Sequence, residues 1–331
     1  MLTTLATLLT IAVAAPTSFE GAAATNSIDF SADGSRLLAA GSTGQLHVFD
    51  TASGELSSVI PGADAFVVFA AFSPDDAQIA AVDYAGRLSI YDAGSGERLA
   101  RQRGHDTETA GLDFGSGRLA TSDKDGNVVV WSWTNGELSQ LRRIDGAVGD
   151  FANQVVLSPD SKTVAACGSA SREDGTGEVA IYDIDSGERV GRIVTPNYVN
   201  SLEYAPDGKL IYAGSAGGKV RGYNLATGGP AGASSGVGPQ DLADVRTIAN
   251  DISLVITQGN VTEVIAAGGD GRLRRADFNG NTRWTVRADE GACYYAALSP
   301  DGTIVATSGN DGKLRLFDAD TGELRRTIAA D

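Results

Sequence analysis

Histidine and cysteine, which often act as bases, nucleophiles and metal ligands, are scarce in this sequence of 331 residues. The chain has two histidines, His47 and His105, and two cysteines, Cys167 and Cys293, and the cysteines have neither a Cys-x-x-Cys nor a zinc-ligand spacing. Carboxylates remain available for acid–base chemistry. The sequence predicts no catalytic residue, no metal site and no cofactor, and it favours a protein that is not an enzyme.

Two Asp-x-Asp-x-Gly segments, which begin at Asp183 and Asp318, place oxygen ligands at a spacing that could open a calcium loop. Aspartate also caps turns by accepting hydrogen bonds from backbone N–H groups two residues further along. Both segments lie where the chain turns in every repeat described below. We therefore expect turn caps at these positions.

A unit of about 44 residues recurs seven times along the chain. Its first marker is an apolar run that ends at Ser-Pro-Asp-Gly or a variant of it, and the copies begin at Phe30, Phe72, Phe114, Leu157, Tyr204, Ile256 and Leu298. Its second marker is a glycine before a β-rich run, found at Gly44, Gly86, Gly126, Gly177, Gly218, Gly271 and Gly312. A third turn, mostly Gly-Glu, precedes a fourth short run.

Each unit thus contains four predicted strands, because apolar and polar residues alternate within the runs and glycine pairs supply tight hairpins. The sequence predicts an all-β fold: one seven-bladed β-propeller over residues 23–331, with four antiparallel strands in each blade. Residues 323–328 supply the fourth strand of the last blade. Cys167 and Cys293 fall in blades 4 and 7, too far apart for a disulfide, so we expect buried free thiols.

The charge balance restricts the partners. The chain has 26 Lys and Arg against 42 Asp and Glu, a net charge of −16, which argues against nucleic acid. Residues 1–22 have no charge before Glu20 and contain the small-residue segment Ala12-Val13-Ala14, but they lack a basic start, so they form either a leader or an extra outer strand. No transmembrane span is predicted. A cytoplasmic monomer is favoured, and removal of residues 1–14 would indicate export.

The third unit resembles the WD-repeat β-propeller family most closely, through Gly104-His105, the segment LATSDKDG from Leu119, and Trp131-Ser132 after a β-rich run. The resemblance implies a structural hydrogen-bonded network formed by His105, Thr121, Asp125 and Trp131. The other units replace the tryptophan and have no Gly-His pair. In the sixth unit, the segment that contains Trp284 resembles quinoprotein-type propellers more weakly.

Candidate partner-binding residues lie at the expected mouth of the central channel. Six residues before each first marker stand Ala24, Phe66, Glu108, Phe151, Tyr198, Asn250 and Ala292. The aromatic members, together with Tyr294, could anchor a partner by burying large rigid surfaces. The alternative is that they pack between blades.

Two insertions interrupt the repeat. Residues 170–176 form an extra charged loop in blade 4, which contributes Arg172 as a partner-binding candidate; the alternative is a neutral surface insertion. Residues 228–239 are rich in Gly, Ala and Ser and predict a flexible loop.

Two classes of function remain. The first is a non-catalytic scaffold that binds a protein or peptide with the face and channel rim of the propeller. The second is a propeller enzyme, either a quinone-dependent dehydrogenase or a lactonase or hydrolase, because this fold also supports catalysis. An exported binding or sensor module would differ from the scaffold mainly by compartment.

Overall fold

Seven antiparallel sheets form the regular structure of the computed structural model, which describes residues 25–62, 65–227, 243–244, 248–277 and 281–328. Each sheet contains four strands that are consecutive in sequence. The described part of the chain contains no helix long and apolar enough to cross a bilayer. The predicted leader, residues 1–22, and the predicted loop, residues 228–239, lie outside the described residues.

The strands of blades 1 to 4 are β1 (Thr25–Phe30), β2 (Arg36–Gly41), β3 (Leu46–Asp50), β4 (Leu56–Ile60), β5 (Val67–Phe72), β6 (Gln78–Asp83), β7 (Arg87–Asp92), β8 (Arg98–Arg103), β9 (Thr109–Phe114), β10 (Arg118–Asp123), β11 (Val128–Thr134), β12 (Glu137–Ile144), β13 (Phe151–Leu157), β14 (Thr163–Ser171), β15 (Thr176–Asp183) and β16 (Arg189–Thr195). The strands of blades 5 to 7 are β17 (Val199–Tyr204), β18 (Leu210–Ser215), β19 (Lys219–Asn224), β20 (Ala243–Asp244), β21 (Ala249–Thr257), β22 (Asn260–Gly268), β23 (Arg272–Asp277), β24 (Thr282–Arg287), β25 (Cys293–Leu298), β26 (Ile304–Gly309), β27 (Leu314–Asp318) and β28 (Leu324–Ile328).

The sheets close into a ring. The first strand of every blade contacts the first strand of the next, from β1 through β5, β9, β13, β17 and β21 to β25, and β25 contacts β1. The predicted seven-bladed propeller with four strands per blade is therefore confirmed. The seven first strands surround a central channel, as expected for radially repeated sheets.

Apolar clusters hold neighbouring blades together, one at each of the seven interfaces. Ring closure uses the cluster between blades 7 and 1, where Ile28 and Phe30 pack with Leu314, Leu316 and Ile328. Each large side chain buried in this way contributes roughly 1.5–3 kcal/mol. Strands β25 to β28 form the sheet of blade 7, so its fourth strand is supplied by the C-terminal segment, as the sequence predicted.

A second interblade contact involves the turn between the third and fourth strands. Gly322 lies in this turn of blade 7 with a φ of 74°, and a Cβ there would lie 2.9 Å from Cδ2 of Trp284 in β24 of the preceding blade. The same arrangement occurs where the ring closes, since Arg326 of β28 packs on Gly54 of blade 1. Glycine is required here both for the left-handed backbone and for the space that it leaves.

The turns between the first and second strands explain the Ser-Pro-Asp marker. In blade 7, Ser299 Oγ donates to Asp301 Oδ1 at 2.6 Å, and the same serine Oγ accepts from the N–H of Ile304 at 2.9 Å. Hydrogen bonds from Ser31 and Ser35 lower the pKa of the equivalent Asp33 to about 2. Side-chain caps of this kind satisfy backbone groups in tight turns.

Candidate functional site

The rim of the channel is formed by the residue that directly precedes the first strand of each blade. The described members are Phe66, Glu108, Asp150, Tyr198, Ile248 and Ala292, together with Phe151, which begins β13. Loops between the second and third strands hold five of these carbonyls in place; for example, Tyr84 N–H donates to Phe66 O at 2.9 Å and Lys124 N–H donates to Glu108 O at 2.9 Å.

Blade 6 departs from the predicted register by two residues. The sequence predicted Asn250 at the rim. The structure places Ile248 there, 44% exposed, and Asn250 lies two residues further along, inside β21. Strands β21 and β22 each have nine residues, with a register shift between Val255 and Ile256. Because this hairpin is longer, the first marker of the unit, Ile256, lies further from the rim than in the other units. The rim position counted back from that marker was therefore wrong.

A cavity of about 540 Å³ opens inside the rim and receives side chains from all seven blades. The predicted residues Phe66 and Tyr294 both line it. Tyr84 also lines it, is 49% exposed, and meets the Phe66 ring edge-to-face with centroids 6.1 Å apart. The Tyr84 hydroxyl donates to the Glu108 carboxylate. These aromatic groups present a rigid apolar wall with polar edges.

Asparagines form the next level of the cavity. Asn153, Asn200 and Asn250 lie at equivalent positions of β13, β17 and β21, and each side-chain amide donates to the inner strand of the following blade, at 3.0 Å to Val199 O, 3.1 Å to Ala249 O and 2.8 Å to Cys293 O. These bonds satisfy carbonyls on strand edges that no further strand covers. In blade 1, Asn26 Nδ2 is buried and has no hydrogen-bond partner within the described residues.

Phe69 and Tyr295 meet edge-to-face across the channel, with ring centroids 5.3 Å apart, and form part of the cavity floor. Deeper carboxylates fasten the blades together: Asp29 accepts from Phe72 N at 2.8 Å, Asp113 from Leu157 N at 2.6 Å, and Glu203 from Leu254 N at 2.9 Å. Asp251, beside the floor, accepts from Ala296 N at 3.2 Å.

The channel raises the pKa of these carboxyls, because it desolvates their charged forms. The pKa of Asp29 rises to about 7 and that of Asp251 to about 7, with burial as the main cause. The pKa of Glu203 rises to about 8, through burial and then through repulsion from Asp251. Each of these carboxylates accepts a hydrogen bond from a backbone N–H of the next blade. The four carboxyl groups therefore join neighbouring blades.

The predicted residues Phe151, Tyr198 and Arg172 lie together at the rim of blades 4 and 5, outside the cavity lining. The rings of Phe151 and Tyr198 are edge-to-face with centroids 5.4 Å apart, so they also make the interblade contact that the alternative expected. Arg172 Cζ lies 5.2 Å and Lys124 Nζ 5.9 Å from the Phe151 centroid. The Asp150 carboxylate lies in the same place, since its Oδ2 accepts from the Arg172 N–H at 2.5 Å.

The inserted residues 170–176 form the end of a longer hairpin, with residues 170, 171 and 176 in strands and residues 172–175 in the turn between them. Strands β14 and β15 extend into the insertion, and Arg172 stands at the hairpin tip, where Gly175 N–H donates to Ser171 O at 3.1 Å. The longer hairpin thereby brings Arg172 over the rim.

The WD-type network is present in blade 3 with one correction. His105 contacts Thr121 Oγ1 through Nε2 at 2.7 Å, and Trp131 Nε1 donates to the same Oγ1 at 3.0 Å. The carboxylate partner is Asp123, 2.8 Å from His105 Nδ1, and not the predicted Asp125. Asp123 ends β10 and is fully buried, whereas Asp125 lies exposed in the turn and uses its backbone N–H to donate to Asp123.

The remaining sequence candidates are structural in this fold. Asp183 Oδ1 accepts from the Ser186 N–H at 2.8 Å, and Asp318 Oδ1 accepts from the Thr321 N–H at 2.8 Å, which is the predicted turn capping. Cys167 and Cys293 are buried and free, as predicted, and burial raises the pKa of both thiols. His47 is buried in β3, and burial lowers its pKa to about 4.

Sequence reasoning missed Tyr84, Lys124 and Ile248. A repeat signal for two of them was available, since Tyr84 and Lys124 each stand two residues before the second-marker glycine, as Asn310 does in blade 7. Comparing this position across the seven units would have identified the loop residues that face the channel mouth. Ile248 needed the corrected register of blade 6.

Comparison with known proteins agrees with this architecture. The chain is 26% identical over 228 residues to a guanine nucleotide-binding protein subunit beta of Oryza sativa subsp. japonica, with 66% of this chain and 58% of the relative covered. It is 26% identical over 213 residues to the WD repeat-containing protein SL1-17 of Schistosoma mansoni, with 62% and 63% covered. The chain thus spans about three fifths of the length of these relatives, and the predicted WD-repeat resemblance is confirmed.

The weaker, quinoprotein-type resemblance has a structural counterpart at Trp284. Its Nε1–H donates to Ala319 O in the next blade at 3.1 Å, and its ring packs on Gly322. A family model described as outer membrane protein assembly factor BamB, the PQQ_2 model, matches residues 84–328, which is most of the propeller. The chain therefore belongs to the PQQ_2 family of β-propellers.

Proposed function

We propose that this protein is a non-catalytic scaffold that binds a protein or peptide at the mouth of its central channel. The observation that carries the proposal is the 540 Å³ cavity inside the rim, which is lined by aromatic side chains of blades 2 and 7, among them the exposed Tyr84. Tyr84 and Phe66 are held by backbone hydrogen bonds and by each other. Preorganised aromatic groups of this kind lose little conformational entropy on binding.

Two further observations support an interaction role. The family model is described as an assembly factor, and one of the relatives is named only by its WD repeats. The buried channel carboxylates are engaged by backbone N–H groups, which favours a role in joining blades over general acid–base chemistry.

The proposal is tested by photo-crosslinking in the cells that make the protein. Tyr84 is replaced in the full chain by p-benzoylphenylalanine, and the matched control carries the same group at Leu99, which is 42% exposed on the outer strand of the same blade. We expect a discrete adduct from position 84 that is absent from position 99. Mass spectrometry of the adduct identifies the partner.

A second variant tests whether the adduct depends on the cavity. Phe66→Ser in the Tyr84-labelled chain removes the ring that supports position 84, and we expect the adduct to weaken. The same adducts at both labelled positions, or none at position 84, would contradict binding at the channel mouth.

A further inference from the structure

The strands that surround the channel contain carboxyl groups and no basic side chain. Across β1, β5, β9, β13, β17, β21 and β25, all within the described part of the chain, the acidic residues are Asp29, Asp113, Glu203 and Asp251, and there is no lysine, arginine or histidine. Burial raises the pKa of Glu203 to about 8, and repulsion from Asp251 and Asp113 adds to the rise. The channel therefore favours a positive charge placed at its mouth.

The cavity at the mouth combines aromatic faces with a carboxylate. Its aromatic side chains are Phe66, Phe69, Tyr84, Tyr294 and Tyr295. At the edge of this aromatic wall, the Glu108 carboxylate accepts from the Tyr84 hydroxyl, and among the described residues no cationic nitrogen lies within 4.0 Å of it. Aromatic faces attract cations, and a carboxylate forms its strongest hydrogen bonds with charged donors. This wall therefore suits a cationic side chain.

Lys124 is the one cation of the described cavity lining, and it lies on the side away from the aromatic wall. Its Nζ donates to Asn153 Oδ1 at 3.2 Å and stands 5.9 Å from the Phe151 centroid, both in blade 4. Lys124 and Glu108 attract each other electrostatically. A second cation beside Tyr84 would share Glu108 with Lys124, so Lys124 weakens the attraction without occupying the place.

Carboxylates outnumber cations on the rim of blades 3 and 4, which adjoins the cavity. The Asp150 carboxylate accepts from the Arg172 backbone N–H at 2.5 Å, a contact that leaves its charge without a counter-ion. The carboxylates of this rim are Glu108, Asp125, Asp150, Glu173 and Asp174, and its cations are Lys124 and Arg172. The rim thus has a net negative charge, which complements a basic segment.

We propose that the channel mouth binds a basic peptide segment, in which one lysine or arginine side chain enters the cavity against the aromatic wall and pairs with Glu108, while further basic residues lie over the rim of blades 3 and 4. This inference rests on the proposed function and adds the chemical class of the partner. Because the whole chain has a net charge of −16, the test must separate Glu108 from attraction to the protein in general.

The probe is a random dodecapeptide display library panned on the purified full chain. We expect enrichment of peptides that contain Lys or Arg. Affinity is then measured by fluorescence anisotropy for the most enriched peptide and for counterparts in which each basic residue in turn is replaced by Gln. One replacement should weaken binding about ten-fold, because one side chain enters the cavity, and the others should weaken it less and only at low salt.

Variants assign that position of the peptide to Glu108. Glu108→Gln keeps an acceptor for the Tyr84 hydroxyl and should weaken the basic peptide about ten-fold, but it should leave the counterpart without the inserted cation within about two-fold. The matched control is Glu97→Gln, which removes the same charge from an exposed turn outside the cavity lining. Lys124→Met removes the competing cation and should tighten binding about three-fold. Thermal melts followed by circular dichroism check that each variant folds.

The outcomes separate the two proposals. Peptides whose binding is lost in Tyr84→Ser but needs no basic residue, or which bind Glu108→Gln and Glu97→Gln equally well, would overturn the inference and leave the proposed function standing. Weaker binding of the basic peptide to Lys124→Met would overturn it in the same way. If no enriched peptide depends on Tyr84 and no adduct forms at that position, both proposals are overturned.

Discussion

Thr121→Val tests whether the network of blade 3 stabilises the propeller. Valine has nearly the shape of threonine, so the substitution opens no cavity, but it removes the hydroxyl that contacts His105 at 2.7 Å and accepts from Trp131 at 3.0 Å. All three side chains are buried. The variant leaves the indole N–H and one imidazole nitrogen without partners, and each such group costs about 1–3 kcal/mol.

We therefore expect Thr121→Val to lower the free energy of unfolding by about 2–4 kcal/mol. The measurement is urea unfolding followed by tryptophan fluorescence and by circular dichroism, because coincident curves show whether one transition describes the ring.

The neighbouring residue supplies the control. Ser122 is also fully buried in β10, but its Oγ has no hydrogen-bond partner within the described residues. Ser122→Ala removes an unsatisfied polar atom, so we expect a change of no more than about 0.5 kcal/mol in the destabilising direction. If Thr121→Val and Ser122→Ala have equal effects, the network does not carry the stability assigned to it.

Three further predictions concern the channel, the blade contacts and the thiols. Because the folded state raises the pKa of Glu203 to about 8 and of Asp29 to about 7, it binds more protons than the unfolded chain, and the free energy of unfolding should fall as pH rises from about 4 to 8. Glu203→Gln keeps an acceptor for Leu254 N–H and should flatten that decline in urea titrations; an unchanged slope would refute the assignment. Trp284→Ala should cost about 2–4 kcal/mol, since it removes the contact with Gly322 and the bond to Ala319. Thr285→Ala, at an exposed position of the same strand, should cost less than about 0.5 kcal/mol, and equal losses would contradict the docking role. Both cysteines should stay unreactive towards Ellman's reagent at pH 8 until urea unfolds the chain, because burial raises their thiol pKa, and rapid native labelling would show otherwise.

The aspartate caps do not obscure this pH dependence. Hydrogen bonds from Ser31 and Ser35 lower the pKa of Asp33 to about 2, so the stability from this cap is present above about pH 4 and is lost only as pH falls further. The channel carboxyls act between about pH 4 and 8. The two sets therefore oppose each other in separate pH ranges, and His47, whose pKa burial lowers to about 4, opposes the channel carboxyls between about pH 4 and 6.5.

Much of the candidate site was predictable from the repeat. Phe66 and Tyr294 line the cavity, and Phe151, Tyr198 and Arg172 gather at the rim, because equivalent positions of equivalent units must lie at the same height around a ring. The prediction was wrong where the repeat itself is irregular. In blade 6 the longer hairpin moved Ile248 into the place assigned to Asn250, and in blade 3 the buried end of β10 made Asp123 the partner of His105.

The sequence alone determined the number of blades, the four strands of each and the turn chemistry, because these follow from local patterns: alternating apolar residues, turn glycines and Ser-Asp caps. It also determined that no disulfide joins Cys167 to Cys293. Only the tertiary structure decided which side chains meet across blades. The pairing of Lys124 with Phe151, of Phe69 with Tyr295, and of each channel carboxylate with the next blade joins residues from different units. Such contacts depend on how rigid sheets are rotated about a common axis, which no local pattern encodes.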